Sequence, residues 1–292
     1  MPLVERHGVP ALNQPVLVVA LDGWIDAGFA ASTAAATLLE AIPTEPYATF
    51  DGEELIDYRA RRPRLRIDDG VRGPLAYSEP RLLVGTDALG GAIALLVGPE
   101  PDYHWRAFAD EVAGIAVELE ARLVVSLGAF PNGVPHTRPV RLAATASDAE
   151  LARRVGYVPG SIEVPAGIGD VIGIACSASG IPSTGLWARV PHYVAGMPFT
   201  PGALALLEGL SALTGLAIDL EELRSGAEAA RRRVDDLIAA SDEHSSLVRR
   251  LEEAVEEAET GDGTLGELAI DGRLPSGDEI AAELERFLHG EL

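Results

Sequence analysis

The chain has no lysine; all 23 of its basic residues are arginine. Schiff-base chemistry on a side-chain amine is thereby excluded, as is a phosphate-binding loop that reaches its nucleotide with lysine. One cysteine, Cys176, rules out an intramolecular disulfide and any site built from several thiolates. It stands in the apolar series Val171-Ile172-Gly173-Ile174-Ala175-Cys176, where a small buried hydrophobe is expected rather than a nucleophile. Long hydrophobic runs are missing: stretches such as 16–21 and 92–97 fall far below the roughly 20 residues that cross a bilayer. Glu5, Arg6 and His7 precede only a short run broken by Pro10 and Pro15, unlike the basic and apolar blocks of a signal peptide. A cytoplasmic protein free of the membrane is the expectation. Positive charge is scarce, with a net charge of −22. That disfavours the nucleic-acid backbone and anionic membranes, and suits solubility or a basic protein partner.

What is present is enough for a sizeable core: 292 residues, 47% of them hydrophobic. The charge is unevenly spread. Residues 219–292 hold 21 acids against 8 arginines, and every tryptophan and tyrosine lies before them. This shift marks a boundary at 215–219 and predicts an α/β domain over 1–218 followed by an acidic helical extension over 219–292. In the first part, unbroken apolar runs at 16–21 and 122–127 read as strands buried on both faces. Further strands are expected at 47–50, 81–85, 92–97, 140–145 and 185–190. Helical patterns fall between them at 29–39, 103–120, from Asp148, at 168–179 and at 202–213. Strand–helix alternation of this kind implies a sheet covered by helices on both faces. In the second part, Ala230, Val234, Leu237, Ser241, His244, Val248, Leu251, Val255 and Ala258 recur at heptad spacing. One long helix fits this seam, and so does a hairpin capped at Ser241-Asp242. Either should bury Leu237, Val248, Leu251 and Val255. A last helix is expected from Ser276, with Ile280, Leu284, Phe287 and Leu288 on one face.

Three polar segments carry the residues able to do chemistry. Asp22 and Asp26 flank Trp24 after the first strand, where open α/β sheets gather their sites. They fit an acid–base pair, and equally a turn and a helix start. Asn132, His136, Thr137 and Arg138 lie in Gly128-Ala129-Phe130-Pro131-Asn132-Gly133-Val134-Pro135-His136-Thr137-Arg138-Pro139, read here as a proline-stiffened loop. His136 could act as a base and Arg138 could clamp an anion; both could instead anchor the loop. His192 follows a second Val-Pro-His. Asp22, Trp24, Asp26, Asn132, His136, Thr137, Arg138 and His192 are therefore the candidate ligand contacts, with Asp22, His136 and Arg138 the candidate catalytic set. Ser183-Thr184 lacks a nucleophile elbow, Gly167-Ile168-Gly169-Asp170 lacks a full dinucleotide fingerprint, and no histidine spacing indicates a metal. Neither a metal nor a cofactor is expected.

The segments Asp22-Gly23-Trp24-x-Asp26-Ala27-Gly28, Gly128-Ala129-Phe130-Pro131-x-x-Val134-Pro135-His136-Thr137-Arg138-Pro139 and Gly180-Ile181-Pro182-Ser183-x-x-Leu186-Trp187-Ala188-x-Val190-Pro191-His192-Tyr193, in this order, resemble the proteasome assembly chaperone 2 family, most closely its actinobacterial branch. The resemblance spans about residues 10–218, and the acidic tail is similar to that branch's extension. It implies a three-layer αβα fold akin to nucleoside phosphorylases and hydrolases. It also implies a homo-oligomer, with a trimer expected, and a non-catalytic chaperone or scaffold role toward proteasome subunits or another protein. A phosphorylase- or hydrolase-like enzyme acting on a small, nucleoside-type ligand is the alternative. Proteasome chaperones of this kind dock through a hydrophobic-tyrosine-any-residue tail, where this sequence reads Gly290-Glu291-Leu292. Some relatives carry an ATP-grasp label, which the lack of lysine does not suit.

Overall fold

The computed structural model describes residues 3–8, 12–23 and 25–260. Trp24, the helix expected from Ser276 and the terminal Gly290-Glu291-Leu292 lie outside the described residues. In chain order the strands are β1 (Val4–Arg6), β2 (Val16–Asp22), β3 (Thr44–Phe50), β4 (Arg64–Asp68), β5 (Val71–Ala76), β6 (Arg81–Thr86), β7 (Ala92–Pro99), β8 (Leu123–Asn132), β9 (Leu142–Ala146) and β10 (Ser183–Pro191). The helices are α1 (Ala30–Ala41), α2 (Gly52–Leu55), α3 (Trp105–Glu118), α4 (Ala149–Val155), α5 (Ile168–Ala178), α6 (Thr200–Thr214), α7 (Glu221–Ala239) and α8 (Asp242–Thr260).

One eight-stranded sheet, ordered β1-β3-β6-β7-β2-β8-β10-β9, forms the middle layer. The four central strands β7, β2, β8 and β10 run parallel, and the outer strands are antiparallel. β2 explains why its sequence is apolar without alternation. Val16, Val18 and Ala20 enter one core with α1 and α6, while Leu17 and Val19 enter the other with α3 and α5. Each face of a central strand meets a helical layer, so neither face has polar positions. The fold is thus a three-layer αβα sandwich. Leu38, Leu206 and Leu210 fill one side, and Phe50 and Phe108, ring centroids 4.7 Å apart, fill the other.

Two expectations are corrected. First, the proline-rich segments are mostly strand. β8 continues through Pro131 to Asn132, and β10 through Val190 to Pro191. Beyond Ser126, β8 is no longer paired with β2 apart from a bridge between Asp26 and Ala129. With a single ladder neighbour, β10, the strand tolerates a proline that cannot donate. Only 133–139 remain as a loop. Second, Leu237 is exposed. The tail is a helical hairpin: α7 stops at Ala239, and Ser241 starts α8, its hydroxyl accepting from the His244 amide at 3.4 Å. The break resets the helical phase, so the heptad seam does not run through it. Leu223, Val234 and Val248 join the α1–α6 core, with Leu251 packed against it.

Cys176 lies wholly buried on α5, and burial pushes its thiol up to about 11. The native protein should therefore give no thiol titre with Ellman's reagent at pH 8, and one thiol per chain after unfolding. A full native titre would place Cys176 at the surface instead.

Candidate functional site

The three motifs meet at the carboxyl ends of the central strands. β8 and β10, the strands that lead to the two Val-Pro-His sequences, pair in parallel register, with Gly128 opposite Trp187, Pro131 opposite Val190 and Asn132 opposite Pro191. The Asp26–Ala129 bridge brings the first motif against the second. The Trp187 ring packs against Gly128, where an added Cβ would come within 2.4 Å of it. Glycine is required there by close approach.

Within this rim the candidate residues fall into separate sets. Asp26 accepts from the amides of Ala31 (2.7 Å) and Ser32 (3.0 Å) and from the Ser32 hydroxyl (2.7 Å). Both carboxylate oxygens thus hold the start of α1, after a turn in which Gly28 and Phe29 take φ of 66° and 52°. Asp22 keeps contact with solvent. The protein packed around it and the like charge of Asp26 push its carboxyl up, against the pull of Arg61.

The second set is built on His136, 2% exposed. Its Nδ1 and its backbone amide both lie 2.7 Å from the Tyr193 hydroxyl, and its Nε2 lies 3.0 Å from Asp235 Oδ1 on α7. The bonding pattern assigns the protons. The tyrosine oxygen accepts from the amide and donates to Nδ1, leaving Nε2–H to donate to the carboxylate. Burial pushes the Tyr193 phenol above its ordinary range. Thr137 donates to Glu252, and Arg138 pairs with Glu256, both on α8. Three consecutive residues thus take three acids of the helical hairpin. The Arg138–Glu256 pair is solvent-exposed and adds at most about 1 kcal/mol; the half-buried His136–Asp235 bond adds to the apolar packing of Val234 and Val248 in holding the hairpin.

Among the described residues, Asp22 shares no hydrogen-bond or ion-pair partner with His136, Thr137 or Arg138. Asn132 sits at the end of β8, its carbonyl accepting from the Val134 amide at 2.9 Å. His192 opens a short 3-10 turn and packs its ring edge-on to Tyr193 at 5.4 Å. The glycine segment 167–170 does open a helix, α5, at the strand ends. The orphan amides of such a terminus attract anions. Here Glu100, at the end of β7 and 7% exposed, accepts from the Ile168 amide at 2.9 Å, and Asp170 accepts from Gly167 at 3.2 Å. Two carboxylates of the chain itself occupy the positions of a phosphate.

Sequence reasoning missed Glu100, Asp235, Glu252 and Glu256. The acidic tail held three of them among many other acids, with no local signal marking which would meet the 136–138 segment. No local signal marked Asp87, at the β6–β7 turn, as buried, yet it is 6% exposed.

The chain resembles several solved structures. Rv2714 of Mycobacterium tuberculosis, a protein of unknown function, is 32% identical, with a TM-score of 0.81 over 88% of this chain and 90% of its own. A PAC2 family protein from Streptomyces avermitilis is 38% identical, with a TM-score of 0.71 over 80% and 99%. Rv2125 of M. tuberculosis, a proteasome-assembly chaperone homologue, is 35% identical, with a TM-score of 0.74 over 80% and 99%. No curated protein matches the chain by sequence. The PAC2 family model covers residues 20–238, a span that takes in all three motifs and most of both cores, and on that extent of agreement the chain belongs to the PAC2 family.

Proposed function

We propose that the protein is a non-catalytic, chaperone-like scaffold that works through protein contacts, as a homo-trimer, with proteasome subunits as its partner class. The observation that carries this reading is the bonding of His136. Both ring nitrogens are bonded within the chain, to Tyr193 and Asp235, whereas a general base needs one within reach of its substrate's proton. The other candidates support the same reading. Asp26 holds the start of α1, Arg138 is paired with Glu256, and Glu100 fills the anion position at α5. A phosphorylase- or hydrolase-like enzyme would need Asp22, His136 and Arg138 around one ligand, and among the described residues Asp22 shares no hydrogen-bond or ion-pair partner with the other two. Rv2125, 35% identical, lends the partner class.

The test is reconstitution. Added to separately purified proteasome α- and β-subunits, the protein should raise the yield of assembled core particle on native gels. Unchanged assembly, together with a nucleoside or phosphate compound that thermally stabilises the wild type but not Arg138→Ala, would overturn the reading in favour of the enzyme.

A further inference from the structure

The β4–β5 hairpin stands apart from both cores. Every residue of its two strands except Gly73 is exposed. It carries Leu65, Ile67, Val71 and Leu75 into solvent, with Ile67 60% and Val71 70% exposed. Leu65 and Leu75 face each other across the pair. A two-stranded ribbon is marginal in water by itself, and an uncovered apolar ribbon is an aggregation hazard. Yet this one is firmly built. Asp69 and Gly70 take φ of 47° and 85°, the left-handed pair that a two-residue hairpin turn demands. At its base Tyr58 and Tyr77 stack edge-on at 5.1 Å, and Arg61 ties the approach to the Glu100 carbonyl and to Asp102. An apolar centre with a charged rim, on a braced support, has the anatomy of half an interface.

Charge indicates the other half. Residues 59–77 hold six arginines against two aspartates, a net +4 in a chain of net −22. The complement is an acidic surface with exposed apolar groups, and the outer face of the adjacent helices α3 and α5 is one. Val117 is 51% and Ile174 72% exposed. Gly114 leaves the α3 surface low, and Asp110 and Glu120 stand exposed beside it. We propose that the β4–β5 hairpin of one copy docks on the α3–α5 face of a second copy of this chain. Leu65, Ile67 and Leu75, which share one face of the ribbon, cover Val117 and Ile174, and hairpin arginines reach Asp110 and Glu120. This rests on the homo-oligomeric reading above and names its contact. The two patches differ, so the contact is head-to-tail and closes as a ring when the rotation allows, as a trimer requires.

The test is light scattering on the full chain at micromolar concentration: wild type, Leu65→Asp/Ile67→Asp, and Ile174→Asp. The wild type should be oligomeric. Both variants should be monomeric with unchanged far-UV circular dichroism, because the substituted side chains lie outside both cores. Mixed and oxidised, Ile67→Cys and Ile174→Cys chains should form a disulfide-linked pair that neither forms alone; Cys176 is buried and does not compete. An oligomeric wild type whose variants keep its mass overturns the docking site and leaves self-association standing. Dissociation by the hairpin substitutions but not by Ile174→Asp overturns the α3–α5 seat. A monomeric wild type overturns both this inference and the oligomeric reading.

Discussion

Replacing Asp87 with asparagine should lower the melting temperature at pH 7 by roughly 5–10 °C, a loss of about 2–4 kcal/mol. The carboxylate is buried at the β6–β7 turn. Its Oδ1 accepts from the amides of Leu89 (2.9 Å) and Gly91 (2.8 Å), and its Oδ2 from Ala217 (2.7 Å) in the segment between α6 and α7. An asparagine of the same shape presents N–H to one of these donors, leaving a buried amide without an acceptor. The charge also matters. Burial alone would raise the Asp87 carboxyl, but the main-chain donors Ala217, Gly91, Leu89 and Gly90 outweigh it and hold the group below its ordinary range. A carboxyl lowered by folding adds stability that is fully present above its unfolded pKa, about 4, and is lost as pH falls through the lower folded value. The gap between wild type and Asp87→Asn should accordingly shrink as melts are taken from pH 7 toward pH 2. Equal melting temperatures at pH 7 would show that these bonds contribute nothing net.

The second large effect is expected at Tyr193. Tyr193→Phe preserves the ring and removes one oxygen, which serves both the His136 amide and its Nδ1 at 2.7 Å. Two buried polar groups then lose their partner, at about 1–3 kcal/mol each before relaxation. The stability loss in urea should be about 2–4 kcal/mol. Amides of α7 and α8 should exchange faster, because His136 no longer presents Nε2–H to Asp235 in a fixed orientation. Glu252→Gln, at the exposed Thr137 contact, should by contrast change stability by less than about 1 kcal/mol. A Tyr193→Phe protein that unfolds at the wild-type urea concentration would show that this bond network adds nothing net to the attachment of the tail.

The central strands were legible in the sequence because both their faces are buried, and the apolar runs at 16–21 and 122–127 admit little else. The β4–β5 hairpin is legible in the sequence only at its turn. Asp69-Gly70 is a strong turn signal, but its flanks alternate arginine with leucine and isoleucine on strands exposed on both faces, so no buried stripe announced them. The extension of β8 through Pro131 was not legible, since a proline in a run argues against a strand. Only the loss of the β2 neighbour after Ser126 makes it tolerable. At the candidate site, local chemistry identified Asp26 as a helix start and His136 as an anchor among the alternatives. The partners of the 136–138 segment lie 99 to 118 residues away, and such pairings are set by tertiary packing, which no local pattern records.

The grip of residues 136–138 on α7 and α8 bears on how the molecule comes apart. The loop that holds the hairpin is the direct continuation of β8, and Tyr193, which orients His136, follows directly from β10. Releasing the tail therefore frees the ends of two central strands at the same moment, and fraying those strands lets go of the tail. The helical hairpin cannot behave as an appendage on a leash. It forms with the sheet rim a single cooperative opening unit, so a partner that grips either element alters the accessibility of the other, and load applied to the tail is delivered to the middle of the sheet.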